Sequence, residues 1–377
     1  MNSPRIAWLL TSAFYYWHPM LSCLSERFPQ TIAFAAKWQG YAPGYENSFA
    51  VDVVGKRNVV LLKRSPIGYG TSITLLPLNI IHRLWKSQRN VIFSNSFGIW
   101  TILALLFKAI GRWRIIIAYE GSSPGVDYRY SFLRLMLRRV MVRGADACIT
   151  NSAAGKDYLT QVLQAPGDRV FAHPYEVPST KAFQHGAASE NRDPAQPLTF
   201  LYIGSLIPRK GVHLLLEACA LLPPDLPYRL VIVGDGEERS QLQTFAKQQE
   251  LDQRMEWVGR VSYDQLGSYF QQADVFVLPT LEDTWGVVVM EAMVMGKPVL
   301  CSRWAGAAEL VEAGVNGDVF DPKHPSELAI LMSHLIRNPQ KAATMGQAAQ
   351  AQMTRYSPEA AAQFLSEVTR FVLGEQP

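Results

Sequence analysis

The stretch EDTWGVVVMEAMVMGKPV, residues 282–299, sets two carboxylates, Asp283 and Glu291, around Gly286 and an apolar run. An ionised carboxylate accepts hydrogen bonds from two hydroxyls at once, so sugar and ribose hydroxyls are natural partners. Gly286 lets a ligand approach the backbone, and the N–H groups after it open a helix without intrahelical partners. The bland alternative is a helix with one acid at its start and a second, solvated one further along. Upstream, YIGSLIPRKGVHLLLEA ends a strand at Gly204, passes Ser205 and brings Arg209, Lys210 and Gly211 to a helix start. Cations and exposed N–H donors converging at a helix N-terminus suit phosphate oxygens. A solvated basic loop is the alternative there.

Elements that alternate along the chain must position these residues. In the second half LTFLYIG, YRLVIVGDG, RMEWVGRV, DVFVLPT and KPVLCS read as strands. Between them GVHLLLEACALL, ERSQLQTFAKQQEL and SYDQLGSYFQQA have helical spacing. Continuous apolar strands separated by helices predict a parallel sheet covered on both faces. The first half repeats the pattern with RIAWLL, VVLLK, NVIFSNS, WRIIIAYEG and ADACITNS as strands. Its helices are HRLWKSQ, TILALLFKAIG and YSFLRLMLRRVMV. Residues 173–197 are polar, Pro-containing and poorly periodic, and form the linker region. At Ser357-Pro358 a cap and a first-turn proline start an amphipathic helix. Ligands of open parallel sheets bind beyond the carboxyl ends of strands, which directs attention to the strand-end loops.

The 377 residues, 48% hydrophobic, suffice for two ordinary cores. Four scattered cysteines form no Cys-x-x-Cys pair, which argues against a zinc or redox motif. The longest apolar run, IWTILALLF, stops at Lys108, short of the ~18 residues of a membrane span. The N-terminus reads as a first strand and loop rather than a signal peptide, and a cytoplasmic location is expected. Charge is uneven. Residues 1–190 hold 21 Lys+Arg and 10 Asp+Glu, a balance of +11; the remainder holds 36 − 21 = 15 and 32 − 10 = 22, a balance of −7. A basic first half suits an anionic surface such as acidic lipid or nucleic acid.

GSLIPRKGVHLLLEA, LVIVGDGEE, the run from WVGRVSYDQL through EDTWGVVVMEAMVMGKPVLCSRWAGAAELVEAGVNGDVFDP, and YSPEAAAQFLSEV resemble the family-4 retaining glycosyltransferases, among the glycosyl transferases group 1. The resemblance covers nearly all of residues 198–377; in the first half it rests on general architecture and GADACITNSAAGKDYL. It implies an α/β GT-B fold, two Rossmann-like domains with parallel sheets facing across a cleft. The domains would be 1–178, completed by the helix 357–377, and 198–356, joined by the linker 179–197. By similarity Asp283 and Glu291 match a Glu-x7-Glu motif whose first acid is shortened. Asp283 would contact the transferred sugar and Glu291 the nucleotide ribose. Amides at Gly286, Val287 and Val288 would approach the donor, together with Gly204 and Gly234, while Arg260 and Val261 sit where the family holds the nucleobase. Lys210 matches the family's diphosphate lysine. Ser205 stands where an arginine is usual, and Arg209 is read as supplying the missing cation.

The resemblance implies retention at the anomeric carbon and a nucleotide sugar as co-substrate, with no other cofactor. Arg209 and Lys210 can stabilise a departing diphosphate, and no Asp-x-Asp strand end is present, so no metal is expected. The first-strand loop TSAFYYWHP lacks the family's glycine-rich turn. Where the family often has a histidine near the reacting sugar, this chain has Tyr119-Glu120-Gly121. Glu120 is read either as a hydroxyl ligand or as a strand-end acid with a structural partner. His18 is read chiefly as structural. In the basic segment 127–143, Leu133, Met136, Leu137 and Val140 share one face, expected to pack on the core, with a membrane-surface helix as the alternative. The aromatics of SAFYYWHP and GYAPGY are candidates to line an acceptor groove.

The leading reading is a hexosyltransferase moving sugar from a UDP-sugar to a lipid, lipid-linked or polysaccharide acceptor in glycolipid or cell-surface glycan biosynthesis. Peripheral contact with the anionic inner face of a membrane is expected, and nucleic acid is not. The rival is a catalytically impaired nucleotide- or glycan-binding protein of the same fold, supported by Ser205 and the glycine-poor first loop. An NAD-dependent oxidoreductase rests on a lone Gly-x-Gly. A glycosidase using Asp283 and Glu291 has no need of a phosphate-tolerant turn.

Overall fold

The computed structural model describes residues 3–63, 65, 68–183 and 196–375. The chain divides into two compact units. Unit 1 holds Met1–Arg64, Gly70–Val177 and Tyr356–Pro377; unit 2 holds Ser65–Tyr69 and Pro178–Arg355. Within the expected linker, residues 184–195 lie outside the described residues.

Unit 1 has strands β1 (Ile6–Leu10), β2 (Ile32–Ala35), β3 (Ala50–Val53), β4 (Asn58–Lys63), β5 (Thr71–Leu75), β6 (Val91–Asn95), β7 (Arg114–Tyr119), β8 (Ala147–Thr150) and β9 (Val170–Ala172). Seven of them form one sheet in the order β3-β2-β1-β6-β7-β8-β9, every pair parallel. The unbroken apolar runs explain this. IAWLL and ACIT are buried at every residue, and RIIIAY at all but its first, as strands covered on both faces must be. VVLLK departs from the expected parallel sheet. It belongs to the antiparallel hairpin β4–β5, where Val59, Val60 and Leu61 stay exposed.

The loop expected after β1 is short. Tyr15–Trp17 form a 3-10 turn and His18–Arg27 an α-helix with Pro19 in its first turn. His18 is fully buried. Its Nδ1 accepts the Ala42 N–H at 2.9 Å, and the rings of Tyr15, Trp38, Tyr41 and Phe49 surround it. Burial pushes its pKa down to about 4, so the ring is a neutral packing element. Two of the aromatics assigned to an acceptor groove, Tyr15 and Tyr41, are thus engaged in this cluster. The helix Pro358–Leu373 is capped by Ser357, whose Oγ accepts the Ala360 N–H. It packs along His18–Arg27, with Arg27 donating to Gln363 at 2.6 Å.

The helix Phe132–Gly144 reverses the expected orientation. Leu133 (79% exposed), Met136, Leu137 and Val140 face outward, and Arg138 faces inward at 9%. Arg138 donates to the Asp127 carbonyl at 3.0 Å and to the Tyr158 hydroxyl at 2.8 Å, and its guanidinium lies over the rings of Phe97 and Tyr128. Asp127, 1% exposed, accepts from the Tyr119 hydroxyl, Ser122 and Arg129. Hydrogen bonds and a π cage replace the water that a guanidinium loses on burial, which lets the arginine rather than the leucines take the inner face.

Unit 2 has β10 (Leu198–Ile203), β11 (Tyr228–Val233), β12 (Met255–Gly259), β13 (Val275–Leu278), β14 (Val299–Ser302) and β15 (Gly317–Phe320). They run parallel in the order β12-β11-β10-β13-β14-β15. The order reverses direction between β10 and β13, and this is the point where open parallel sheets leave a crevice beyond their carboxyl ends. The glycines of VGDGEE serve packing there. Gly234 has φ +135°, and a Cβ on it would stand 1.8 Å from the Gly204 carbonyl oxygen. The turn is tied to the β10 loop by Leu206 N–H to Asp235 O and Glu238 N–H to Leu206 O.

Gly234→Ala is therefore expected to destabilise unit 2 by about 2 kcal/mol or more, since strain and overlap add at one backbone position. Urea unfolding followed by tryptophan fluorescence measures it; an unchanged midpoint would rule out this close approach of β10 and β11.

Candidate functional site

Gly204 and Ser205 follow β10, then a 3-10 turn Pro208–Lys210, then Gly211 and the helix Val212–Ala220. The loop after β13 carries Thr280 to Trp285 and reaches Gly286, which caps the helix Val287–Val294. The two loops are joined by their backbones. The Arg209 carbonyl accepts the Leu281 N–H at 2.8 Å and the Thr280 hydroxyl at 3.1 Å, and Arg209 Nη1 donates to the Glu282 carbonyl at 2.5 Å. Gly211 takes φ +65° with its missing Cβ pointing at the Pro279 carbonyl, 2.2 Å away, so a side chain there would part the loops.

This closure brings the expected charges together. Lys210 Nζ meets Asp283 Oδ2 at 2.5 Å, and Arg209 Nη1 stands 4.0 Å from the same oxygen. Asp283 is buried, and burial opposes its ionisation. The Lys210 ammonium, its hydrogen bond, Arg209 and the Trp285 N–H together outweigh that and hold the carboxyl below its usual range. Behind it, the segment after β14 braces the acid: Asp283 N–H donates to Trp304 O, and Gly306 N–H to Asp283 O. The site thus brings two cations to one carboxylate in a mostly buried setting, a pair of donors suited to a diphosphate.

Glu291 lies in the second turn of the helix Val287–Val294 and is 5% exposed. Burial pushes its pKa up to about 7, although the Tyr263 hydroxyl, donating to Oε1 at 2.9 Å, favours the ionised form. Tyr263 follows Gly259-Arg260-Val261 in a turn closed by the reciprocal Ser262–Gln265 capping box. Arg260 is exposed and Val261 half-buried. Gly204, Ser205, Arg209, Lys210, Gly234, Arg260, Val261, Asp283, Gly286, Val287, Val288 and Glu291 all belong to unit 2. Ser205 is exposed, and its carbonyl accepts the Tyr202 hydroxyl. Glu120 belongs to unit 1, at the end of β7. Its carboxylate accepts Asn95 Nδ2 at 3.1 Å, and its carbonyl accepts the Asn151 N–H.

Three residues at the site escape the sequence reading: Tyr263, Glu282 and Tyr69. The capping box could have placed Tyr263 in a turn near the site. Tyr69 is separated from Glu282 by 213 positions, and no local pattern marks it. Among the described residues no three His, Cys, Asp or Glu gather closely enough to hold a metal ion.

The family model of the glycosyl transferases group 1 matches residues 187–352. The sulfoquinovosyl transferase SQD2 of Arabidopsis thaliana is 24% identical over 333 residues, 84% of this chain and 62% of that protein. A D-inositol 3-phosphate glycosyltransferase of Pseudarthrobacter chlorophenolicus is 29% identical over 217 residues, 55% of this chain and 52% of that protein. Each match thus spans less than two thirds of the relative's own length. Among solved structures, Anabaena Alr3699/HepE in complex with UDP superposes with TM-score 0.74 at 19% identity, over 97% of this chain and 99% of that one. The shared fold is GT-B.

Glu291 makes unit 2 pH-sensitive. Its folded pKa, about 7, lies above the 4.5 of a free glutamate. A raised acid pKa stabilises the fold fully below the unfolded pKa, and that contribution is lost as pH rises through 7. Glu291→Gln, a permanent neutral mimic, should therefore gain about 2 kcal/mol over wild type between pH 5 and pH 8. Urea titrations of both proteins at the two pH values test this; parallel curves would show that Glu291 titrates normally.

Proposed function

We propose, with residues 187–352 matching the family model of the glycosyl transferases group 1, that the chain is a metal-independent retaining transferase moving a hexose from a UDP-sugar to a lipid, lipid-linked or polysaccharide acceptor. The observation that carries this reading is the pair of cations, Arg209 and Lys210, gathered on Asp283 where β10 and β13 end. When the glycosidic bond to the diphosphate breaks, negative charge collects on the leaving oxygen and positive charge on the sugar. Fixed cations and helix-start amides meet the first without reorganising, the condition under which electrostatic stabilisation is most effective. Lys210 exchanges part of its contact with Asp283 for the diphosphate, and Asp283 then accepts sugar hydroxyls. Glu291 accepts from the ribose and does so best when ionised, above its pKa of about 7. Gly286, Val287 and Val288 offer N–H groups at a helix start. UDP as the nucleotide draws support from the UDP complex of the Anabaena neighbour. Retention, with the acceptor hydroxyl arriving on the face the diphosphate leaves, rests on the sequence resemblance alone.

Acceptor recognition is assigned to unit 1. Glu120 is the residue proposed to take an acceptor hydroxyl. The helix Phe132–Gly144 is proposed to lie on an anionic membrane. Its outward Phe132, Leu133, Met136, Leu137 and Val140 are flanked by Arg134, Arg139 and Arg143, a combination that buries apolar area among acyl chains and neutralises acidic headgroups. Among the described residues no helix is long and apolar enough to cross a membrane.

Incubation with UDP-, GDP- and ADP-sugars in EDTA, with and without membrane lipid, should release UDP in a lipid-stimulated reaction. Lys210→Ala should lower kcat by about 10²–10³, the usual loss of one oxyanion-stabilising donor. Binding of UDP with no turnover on any acceptor would instead favour the binding-protein alternative, which rests on Ser205 in place of the family's usual arginine and on the glycine-poor first loop. Separately, the double variant Leu133→Glu, Leu137→Glu should lose sedimentation with phosphatidylglycerol vesicles and keep UDP binding. Retained sedimentation would remove the helix from the membrane assignment.

A further inference from the structure

Unit 2 takes in one short piece of chain from far upstream, Ser65–Tyr69, and its last residue sits on the cationic centre. The Tyr69 ring lies 4.0 Å from the Arg209 guanidinium carbon. Its N–H donates to Glu282 Oε2 at 2.8 Å. Its phenol is hydrogen bonded by the side chain and backbone of Thr284, next to the Asp283 carboxylate. Gly68 makes room for this: a Cβ there would stand 2.4 Å from Glu282 Oε2.

The phenol oxygen therefore stands at the loop that leads into Gly286 and the helix start, among the groups assigned above to sugar and diphosphate. The ring covers one of the two cations. Arg209 itself is only 15% exposed, and Lys210 is 16% exposed. A guanidinium stacked on an aromatic face and bonded to a carbonyl is already satisfied, so an anionic ligand must offer more than the ring does to draw it away.

We propose that Tyr69, stacked on Arg209 and bonded at Thr284, occupies part of the donor position and that the nucleotide sugar must displace it. The inference rests on the donor site proposed above. Tyr69 is then an internal competitor. It keeps Arg209 and the Thr284 turn satisfied, and it sets the affinity for the diphosphate end of the donor below what the bare cationic centre would have. Free-energy linkage requires that whatever stabilises Tyr69 on Arg209 weakens nucleotide binding by the same factor.

Calorimetric titration of wild type, Tyr69→Ala and Tyr69→Phe with UDP-glucose, GDP-mannose and ADP-glucose in turn tests it. For the sugar nucleotide that binds, Tyr69→Ala should tighten Kd by about tenfold, the value of losing a desolvated cation–π contact with its hydrogen bonds. Tyr69→Phe keeps the stacked ring but not the phenol oxygen. It should fall between the two and guards against a misfolded alanine variant. Equal or weaker binding by both variants, with wild type binding normally, overturns the proposal and leaves the donor site standing. No binding by any of the three proteins overturns the donor site, and the proposal with it.

Discussion

The carboxyl ends of β10 and β13 lie side by side because the strand order of unit 2 turns outward from that pair in both directions. A parallel sheet leaves its strand-end carbonyls and N–H groups without ladder partners, and loops that meet there must satisfy one another or a ligand. Here they do both. The Arg209 carbonyl takes the Leu281 N–H and the Thr280 hydroxyl, while the Arg209 side chain reaches back to the Glu282 carbonyl. That closure, one main-chain bond and two made by the side chains of Thr280 and Arg209, fixes where Lys210 and Asp283 meet. Gly211 is needed because the chain must turn within 2.2 Å of the Pro279 carbonyl.

Charge at this closure is unequally solvated. Asp283 is held ionised against burial by two cations, whereas Glu291, equally enclosed but supported by a phenol alone, sits near neutral pH. The difference is a difference of neighbours, since both carboxylates lose nearly all their water. One acid is thereby committed to its charge at every physiological pH. The other changes charge within that range.

Much of this was legible in the sequence. Arg209, Lys210 and Asp283 lie in strand-end loops and Glu291 in the second turn of the helix that follows Gly286, so local pattern suffices to bring them to one end of a sheet. The buried parallel strands were legible for a similar reason, as continuous apolar runs have few other homes. What was lost depends on contacts between distant segments. Periodicity shows that Leu133, Met136, Leu137 and Val140 share a face. It does not show that Phe97, Tyr128 and Tyr158 would gather around Arg138 and turn that face outward. Tyr263 and Tyr69 reach their acids across 28 and 213 positions, distances at which spacing carries no information. VVLLK, in β4, was read as part of the parallel sheet because its apolar content matches, although its burial does not.

The helix Pro358–Leu373 lies along His18–Arg27 and belongs to unit 1, yet nearly all of unit 2 is spelled out before it. On a ribosome that releases residues in order, the long stretch Pro178–Arg355 of unit 2 has emerged in full while unit 1 still lacks its last piece. The first helix therefore waits with an uncovered flank through the synthesis of a whole domain. Collapse of unit 2 in the interval draws the two ends of the intervening chain together, shrinking the loop that the last helix must close. The pairing of the two helices of unit 1 thus forms only after the long stretch of unit 2 between them has been made.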